Sequence, residues 1–458
     1  MPIWTALLPG PCSEVGVNEA GLSLALSAEA LGWWALQFTP RVARLEEAIV
    51  LDWQTSARLF GGPDRLRQRL DDGARQHGAQ ACAHGSTALA ALARARHMVL
   101  TGSRDEADWR GLDLHTVSTL AQHAATLTRL GCRTVADVLA LPRGGLSRRF
   151  GQEVLQALDQ LTGQRPEAFT WLSLPAVFEA RLELPGRIDT APALLHGFQQ
   201  LLPSLCAWLA GQQAGIQSLT LRWFHGRRRH GEEHGQHVIR LATPTRDTHR
   251  LSRLLAEHLQ QILLAAPVED IGLYADDIRA LQTPSADLFP EQISGGGSDA
   301  LLTPAARRAQ QDALLALIDQ LSVRLGAQHV CQGTLHADHR LELAQRWHPA
   351  CEPGAKSASI PLPPWPQPSW ILPEPQPLTT VRDEHGLQEQ PFYQGRLRLL
   401  AGPHRVEAGW WDACTPADAV VRDYFLASSA IAGLLWVFRS RSQPDAGKPV
   451  WFLHGLFA

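Results

Sequence analysis

"EEAIVLDWQTSARLFGG", residues 46–62, decides how the chain is read. Ala48 to Leu51 are continuously apolar and end on Asp52, the pattern of a short strand buried on both faces that surfaces at one aspartate. The stretch 56–78 that follows has helical spacing, with Gly61 and Gly62 making a turn inside it. Carboxylates at a strand end can hold catalytic metal ions, so the reading turns on whether Glu46, Glu47 and Asp52 form such a site.

Working outward, residues 17–38 place apolar side chains at helical spacing, and Thr39-Pro40 closes that helix. "AQACAHG" (79–85) reads as a further strand before an alanine-rich helix over 86–96. This alternation predicts an α/β domain over 1–105. From 106 to 172 the texture changes to short helices and tight turns. There Thr134 is placed to cap "VADVLAL", Pro142 to stop it, and Gly144-Gly145 to turn the chain into the next helix. Residues 173–289 give strand, long helix, two strands joined by "GRRRHGEEHGQ", helix and strand, a βαββαβ two-layer domain. A glycine-rich linker and a helix from 304 to 325 fill 290–347, and the proline-dense 348–380 is expected to run extended. The last segment, 381–458, reads as a small antiparallel β unit with turns at Gly402-Pro403 and around Gln443–Gly447. The fold class is therefore α+β, multidomain.

Composition bounds the function. The 458 residues are 45% hydrophobic and 19% charged with a formal net charge of −3, a globular balance that announces neither nucleic-acid nor membrane binding. Any such partner must be met by a local patch. Seven cysteines at 12, 82, 132, 206, 331, 351 and 414, an odd number without a CxxC pair, argue against both a disulfide framework and a zinc site. The start lacks the pattern of a signal peptide, and no stretch approaches the ~18 apolar residues of a membrane helix, so a cytoplasmic protein without a cofactor is expected.

An α/β layer, a helical module carrying "LGCRTVADVLALP…LSRRFG" and a βαββαβ sandwich in that order resemble the palm, thumb and little finger of the Y-family translesion DNA polymerases. "WWALQFTPRVA", "RLFGG", "GPHRVEAGWWD" and the terminal "WFLHGLFA" are similar to the ImuB-type branch, polymerase-like partners in a bacterial mutagenesis cassette. The resemblance implies DNA, a sliding clamp, an ImuA-type protein and an error-prone C-family DNA polymerase as partners.

Active Y-family enzymes carry an Asp-x-Asp pattern on their first palm strand and Asp-Glu in a Ser-Ile-Asp-Glu-Ala-x-Leu-Asp stretch on a second. Laid on "LEEAIVLD" by the closing Leu-Asp, that stretch puts Glu47 at the metal-binding Asp and Ala48 at the Glu. A slip by one residue restores two acids, Glu46 and Glu47, but puts Val50 and Leu51 where Leu-Asp belongs and turns every side chain to the other face. No carboxylate pair precedes Glu46, so the Asp-x-Asp strand is expected to be missing and the palm N-terminally truncated, with an upstream strand as the alternative that would restore a polymerase. The family's Asn-Lys-x-x-Ala-Lys segment falls on "STALAA" (86–91), where Thr87 and Ala91 replace both lysines. No catalytic or metal residue is assigned on this reading, and Asp52 is expected to hydrogen-bond the following turn.

DNA contact needs only arginines and backbone amides. The candidates are Arg143, Arg148 and Arg149 in the helical module, and Arg222, Arg227, Arg228 and Arg229 on the βαββαβ hairpin, where Glu232 and Glu233 offset the charge. "SADLF" (285–289) resembles a clamp-binding peptide at Asp287, Leu288 and Phe289. Trp410, Trp411, Trp436 and Trp451 are open to two roles, interface anchors or the core of the C-terminal β unit.

Overall fold

Strand β3 of the first sheet, Ala48–Asp52, is buried at all five positions, as its unbroken apolar run requires. In the computed structural model it belongs to a module of β1 (Trp4–Leu8), α1 (Ala28–Ala35), β2 (Val42–Leu45), β3, α2 (Pro63–Gln76), β4 (Ala81–Gly85) and α3 (Ala88–Thr101). The structure describes residues 4–10, 26–103, 108–225, 234–281, 304–336, 338–351, 366–382, 389–409, 420–441 and 450–457. The sheet order is β2-β3-β1-β4, antiparallel throughout.

Both faces of this sheet are covered. Leu7, Ile49 and Leu51 pack with Leu31 and Trp34 of α1 and Leu66 and Leu70 of α2. Ala6, Ala43, Val50 and Ala83 pack with Ala88, Ala91 and Ala95 of α3 on the other side. Two expectations change here. A strand does precede Glu46: β1 lies at the centre of the sheet, with Leu7 opposite both Ile49 and Cys82. The expected 17–38 helix is described from Ala28, where Ser27 caps it by accepting from Ala30 N at 3.2 Å; residues 11–25 lie outside the described residues.

The helical module follows, with α4 (Ser118–Ala121), α5 (Ala124–Arg129), α6 (Val135–Leu139), α7 (Arg143–Phe150) and α8 (Gln152–Thr162). Its core of Leu120, Leu127, Val135, Leu158 and Leu161 also takes in Leu89, Ala90 and Ala93 of α3. Thr134 caps α6 as expected, in a capping box. Its Oγ1 accepts from Asp137 N at 3.3 Å while Asp137 Oδ2 accepts from Thr134 N at 2.8 Å. Gly144 and Gly145, by contrast, lie inside α7, and the turn into α8 is made at Gly151 with φ +90°. Only a residue without Cβ adopts that conformation cheaply.

The βαββαβ expectation holds in β5 (Glu179–Ile188), α9 (Leu195–Gly211), β6 (Ala214–His225), β7 (His234–Thr245), α10 (Thr248–Leu259) and β8 (Val268–Ala280), with sheet order β5-β8-β6-β7. Phe198, Leu205 and Trp208 of α9 and Leu255 of α10 pack on Leu221, Ile271 and Leu273, so both helices cover one face of the sheet. Helix α11 (Pro304–Leu325) is pinned by the buried Asp319, which accepts from Ala242 N and Arg250 Nε, each at 2.9 Å.

The chain divides into two compact units, Met1–Val323 and Arg324–Ala458. The second holds the hairpin β9 (Cys331–Leu335) and β10 (Gln345–Pro349), then β11 (Trp370–Arg382), β12 (Glu389–Phe392), β13 (Arg398–Ala408), β14 (Val420–Ser429), β15 (Gly433–Ser440) and β16 (Trp451–Leu456). The last six form one sheet in the order β12-β11-β16-β15-β14-β13, larger than the expected small unit. Gly402-Pro403 makes no turn; it sits within β13 where the register shifts between Ala401 and His404. Part of the proline-dense stretch is also a strand, because the register of β11 breaks between Ile371 and Gln376, where Pro373 and Pro375 need donate nothing to the ladder. Trp436 and Trp451 are core residues, Trp436 stacked against Tyr424 at 5.6 Å between ring centroids. Trp410, Trp411 and the expected turn at 443–447 lie outside the described residues.

Gly73, in the middle of α2, faces Trp34, and a Cβ added there would lie 2.2 Å from Trp34 Cζ2. Helix propensity alone makes Gly→Ala a gain of about 0.5–1 kcal/mol. Here the clash reverses the sign: Gly73→Ala is expected to lose about 1–3 kcal/mol in denaturant unfolding, by overpacking against the ring.

Candidate functional site

Glu46 and Glu47 form the two-residue turn between β2 and β3, with Glu46 in the left-handed region at φ +52°. Arg96, two turns into α3, reaches both. Its Nη2 lies 2.5 Å from Glu46 Oε2 and 2.8 Å from Glu47 Oε2, and its Nε lies 2.7 Å from Glu47 Oε1. Its Nη1 donates to Thr116 O at 3.0 Å and to Ser118 Oγ at 2.9 Å, and Ser118 Oγ in turn donates to Glu46 Oε2. A guanidinium has five N–H donors, and all five are engaged. The hydrogen bond from Arg96 holds the Glu47 carboxyl below its ordinary range, against a smaller opposing effect of burial.

A two-metal site needs carboxylates converging from neighbouring strands. Beside the turn, β3 begins with Ala48 and Ile49, and the facing end of β1 is Leu7 and Leu8. Among the described residues no second carboxylate reaches this corner from β1. Asp52, at the far end of β3, turns to other work: its Oδ2 pairs with Arg41 Nη1 at 3.0 Å and its Oδ1 accepts from Gln54 N at 3.1 Å, the turn-binding role expected of it.

The start of α3, where the resemblance puts triphosphate-binding lysines, is closed by internal groups. Thr87 Oγ1 accepts from Ala90 N at 3.1 Å, and the Glu167 carboxylate accepts from Ala88 N at 2.9 Å and Leu89 N at 3.0 Å. Burial pushes the Glu167 carboxyl up, and those two amides partly offset it. An anion arriving here would have to displace a carboxylate already seated on the helix N-terminus.

The face of the β5-β8-β6-β7 sheet turned away from α9 and α10 carries the other candidate surface. Arg181 on β5 and Arg222 on β6 both stand opposite Gly272 of β8, so they flank a position without a side chain in one cross-strand row. Arg222 lies 4.4 Å over the Tyr274 ring and Arg181 lies 4.0 Å over Phe224, which holds both guanidinium planes against aromatic faces. Arg222 Nε has no hydrogen-bond partner among the described residues. Glu183 and Asp270 form the next row, so the positive strip is one row wide.

Of the other arginines singled out by sequence, Arg143 donates to both carboxylate oxygens of Asp159 at 2.7 Å, and Arg148 and Arg149 are exposed in the last turn of α7. Arg227, Arg228 and Arg229, and Asp287, Leu288 and Phe289, lie outside the described residues. Sequence reasoning missed Arg96, Glu167 and Arg181. For Arg181 a signal existed, since "EARLE" and "LRWFH" both alternate outward polar or aromatic residues with inward apolar ones.

The class to which these features are compared is that of DNA polymerase-like proteins. The chain is 27% identical over 447 residues to Protein ImuB of Caulobacter vibrioides, in two strains, covering 94% of this chain and 93% of that protein. No protein-family model matches. Among solved structures, a Dbh ternary complex aligns at a TM-score of 0.24 and 12% identity over 54% of this chain and 78% of its own. DinB from Sulfolobus solfataricus aligns at 0.24 and 13% over 55% and 76%. The chain is thus similar to ImuB along nearly its whole length, and no helix among the described residues is long and apolar enough to cross a membrane.

Because the Glu47 pKa is depressed in the folded state, the Arg96 contact stabilises the fold above the ordinary Glu value of 4.5, and that stability is lost as pH falls through the lower folded value. Arg96→Met is expected to be less stable than the parent at neutral pH, with the difference shrinking below pH 4.5 in urea unfolding across pH. A constant difference across that window would show that Arg96 acts through packing alone.

Proposed function

We propose that the chain is a non-catalytic scaffold of the Y-family polymerase-like type, which brings an error-prone C-family DNA polymerase to the sliding clamp during damage-induced translesion synthesis. In this reading residues 1–105 are the palm-like domain, 106–172 the thumb-like domain and 173–289 the little-finger-like domain, with partner contacts beyond. The observation that carries it is the β2–β3 corner. Its only carboxylates among the described residues, Glu46 and Glu47, are bound to Arg96, and Ala48, Leu7 and Leu8 stand where metal ligands would have to converge. The similarity to ImuB supports the rest. The alternative, an active polymerase completed by an upstream strand, meets an obstacle in β1, which pairs with β3 on one side and β4 on the other. An added strand could join only at an edge, beside β2 or β4, and not between β3 and its present neighbours.

Primer extension with Mg²⁺ and all four nucleotides is expected to yield no template-directed product. Extension abolished by Glu47→Ala would overturn the scaffold reading.

DNA binding in this reading is weak and sequence-independent, through phosphate contacts at the Arg181–Arg222 row. Each of Arg181→Ala and Arg222→Ala is expected to weaken binding uniformly across sequences and to flatten the plot of log affinity against log salt by about one. Unchanged slopes in both variants would remove the sheet face from the interface.

For clamp recruitment, Leu288→Ala with Phe289→Ala is expected to abolish clamp pull-down, since paired apolar anchors supply most of the affinity of such peptides. Co-purification with the C-family polymerase and an ImuA-type protein is expected to be lost when Arg324–Ala458 is removed as one unit. A cut at residue 390 would instead leave β11 without β16.

A further inference from the structure

Asp71 on α2 and Cys82 and His84 on β4 bring a carboxylate oxygen, a thiol sulfur and an imidazole nitrogen to within 4.8 Å of one another. Cys82 and His84 are two residues apart on a strand and so point to one face, toward α2, which supplies Asp71 from above. His84 Nε2 lies 3.1 Å from Asp71 Oδ1. On its far side His84 Nδ1 lies 2.8 Å from Thr5 Oγ1, and that hydroxyl is itself held by Trp53 Nε1 at 2.7 Å. An imidazole fixed at one nitrogen by a partner outside the cluster, with the other nitrogen facing a carboxylate and a thiol, is oriented as metal-binding histidines are. The His84 side chain is 4% exposed and that of Asp71 39%, so the cluster is closed beneath the sheet and reachable by water at the Asp71 side.

We propose that Asp71, Cys82 and His84 bind one zinc-class divalent d-metal ion, with the fourth position taken by water. One sulfur, one nitrogen and one oxygen form a set suited to Zn²⁺ or Co²⁺ and unsuited to Mg²⁺ or Ca²⁺, which take oxygen ligands. The site stands apart from the β2–β3 corner and from the scaffold reading.

Proton balance follows from the surroundings. Burial, and next the neighbouring Asp71 charge, push the Cys82 thiol well up, so it carries a proton at neutral pH, while Arg67 and Arg75 favour the thiolate. Burial pulls the Asp71 carboxyl upward, but the hydrogen bonds of His84 and Cys82 together with the nearby charges of His84 and Arg67 hold it below its ordinary range. On binding, the Cys82 thiol gives up its proton to solvent as its sulfur takes the metal, and His84 binds through Nε2 while Nδ1 stays against Thr5 Oγ1.

The test uses the full chain, treated with chelator and titrated with Co²⁺ and then Zn²⁺. A thiolate-to-cobalt charge-transfer band is expected to saturate at one equivalent, to vanish on adding Zn²⁺ and to persist in excess Mg²⁺. Calorimetry in two buffers of different ionisation heat is expected to read proton release on Zn²⁺ binding. Cys82→Ser should abolish the band and the proton release, and Cys331→Ser, at an exposed cysteine, should leave both intact. Absence of the band at stoichiometric cobalt, or its survival in Cys82→Ser, overturns the proposal. Should Cys82→Ser not fold, Asp71→Asn decides: the proposal requires the band to remain with a cobalt Kd raised at least about tenfold, and an unchanged Kd overturns it.

Discussion

The Arg96 guanidinium is the contact on which the first unit's arrangement depends. It joins three pieces of chain that are far apart in sequence: the turn at Glu46-Glu47, helix α3 on which it sits, and the Thr116–Ser118 entrance to the helical module. A guanidinium suits this position because its planar fork satisfies two carboxylates and two neutral acceptors at once, which an ammonium cannot do. The Arg96 side chain is mostly buried, so losing it would leave the Thr116 carbonyl and two half-exposed carboxylates without their shared donor. The same contact consumes the acids that would otherwise be available to a metal.

Helix α3 extends the argument. One face is alanine and lies flat on the alanines of the sheet, and another, with Leu89, Ala90 and Ala93, enters the core of the helical module. Lysines at Thr87 or Ala91 could not be accommodated there, since both positions are buried. Glu167 then supplies from 79 residues away the negative charge that the helix N-terminus favours. The start of α3 is thus an internal joint between the sheet module and the helical module.

The β5-β8-β6-β7 sheet, within the same unit, shows the opposite economy. One face is packed by α9 and α10, while the other keeps two arginines braced on aromatic rings around Gly272. Bracing lowers the entropy cost of presenting a guanidinium to a phosphate, and the acidic row alongside confines the attraction to a narrow strip. The second unit is organised differently, by a six-stranded sheet apolar on both faces, which is why four consecutive residues of β15, Leu435–Phe438, are all buried.

Several elements were readable from neighbours along the chain, because the interactions that create them are local. The β3 run, the Thr134 capping box, the Asp52 turn and the βαββαβ order each depend on side chains within a few residues or on a short repeating period. The sequence by itself therefore determined β3, the strands and helices of the βαββαβ domain and the Thr134 cap, and that Ala48 carries no ligand. Tertiary structure alone decided what those elements meet. It placed β1 at the centre of the sheet, Arg96 on the two glutamates, Glu167 on α3, Arg181 beside Arg222, and Gly402-Pro403 inside a strand instead of a turn. The reason is physical: these contacts join residues tens of positions apart, so their geometry comes from sheet register and helix packing, which local propensity does not encode.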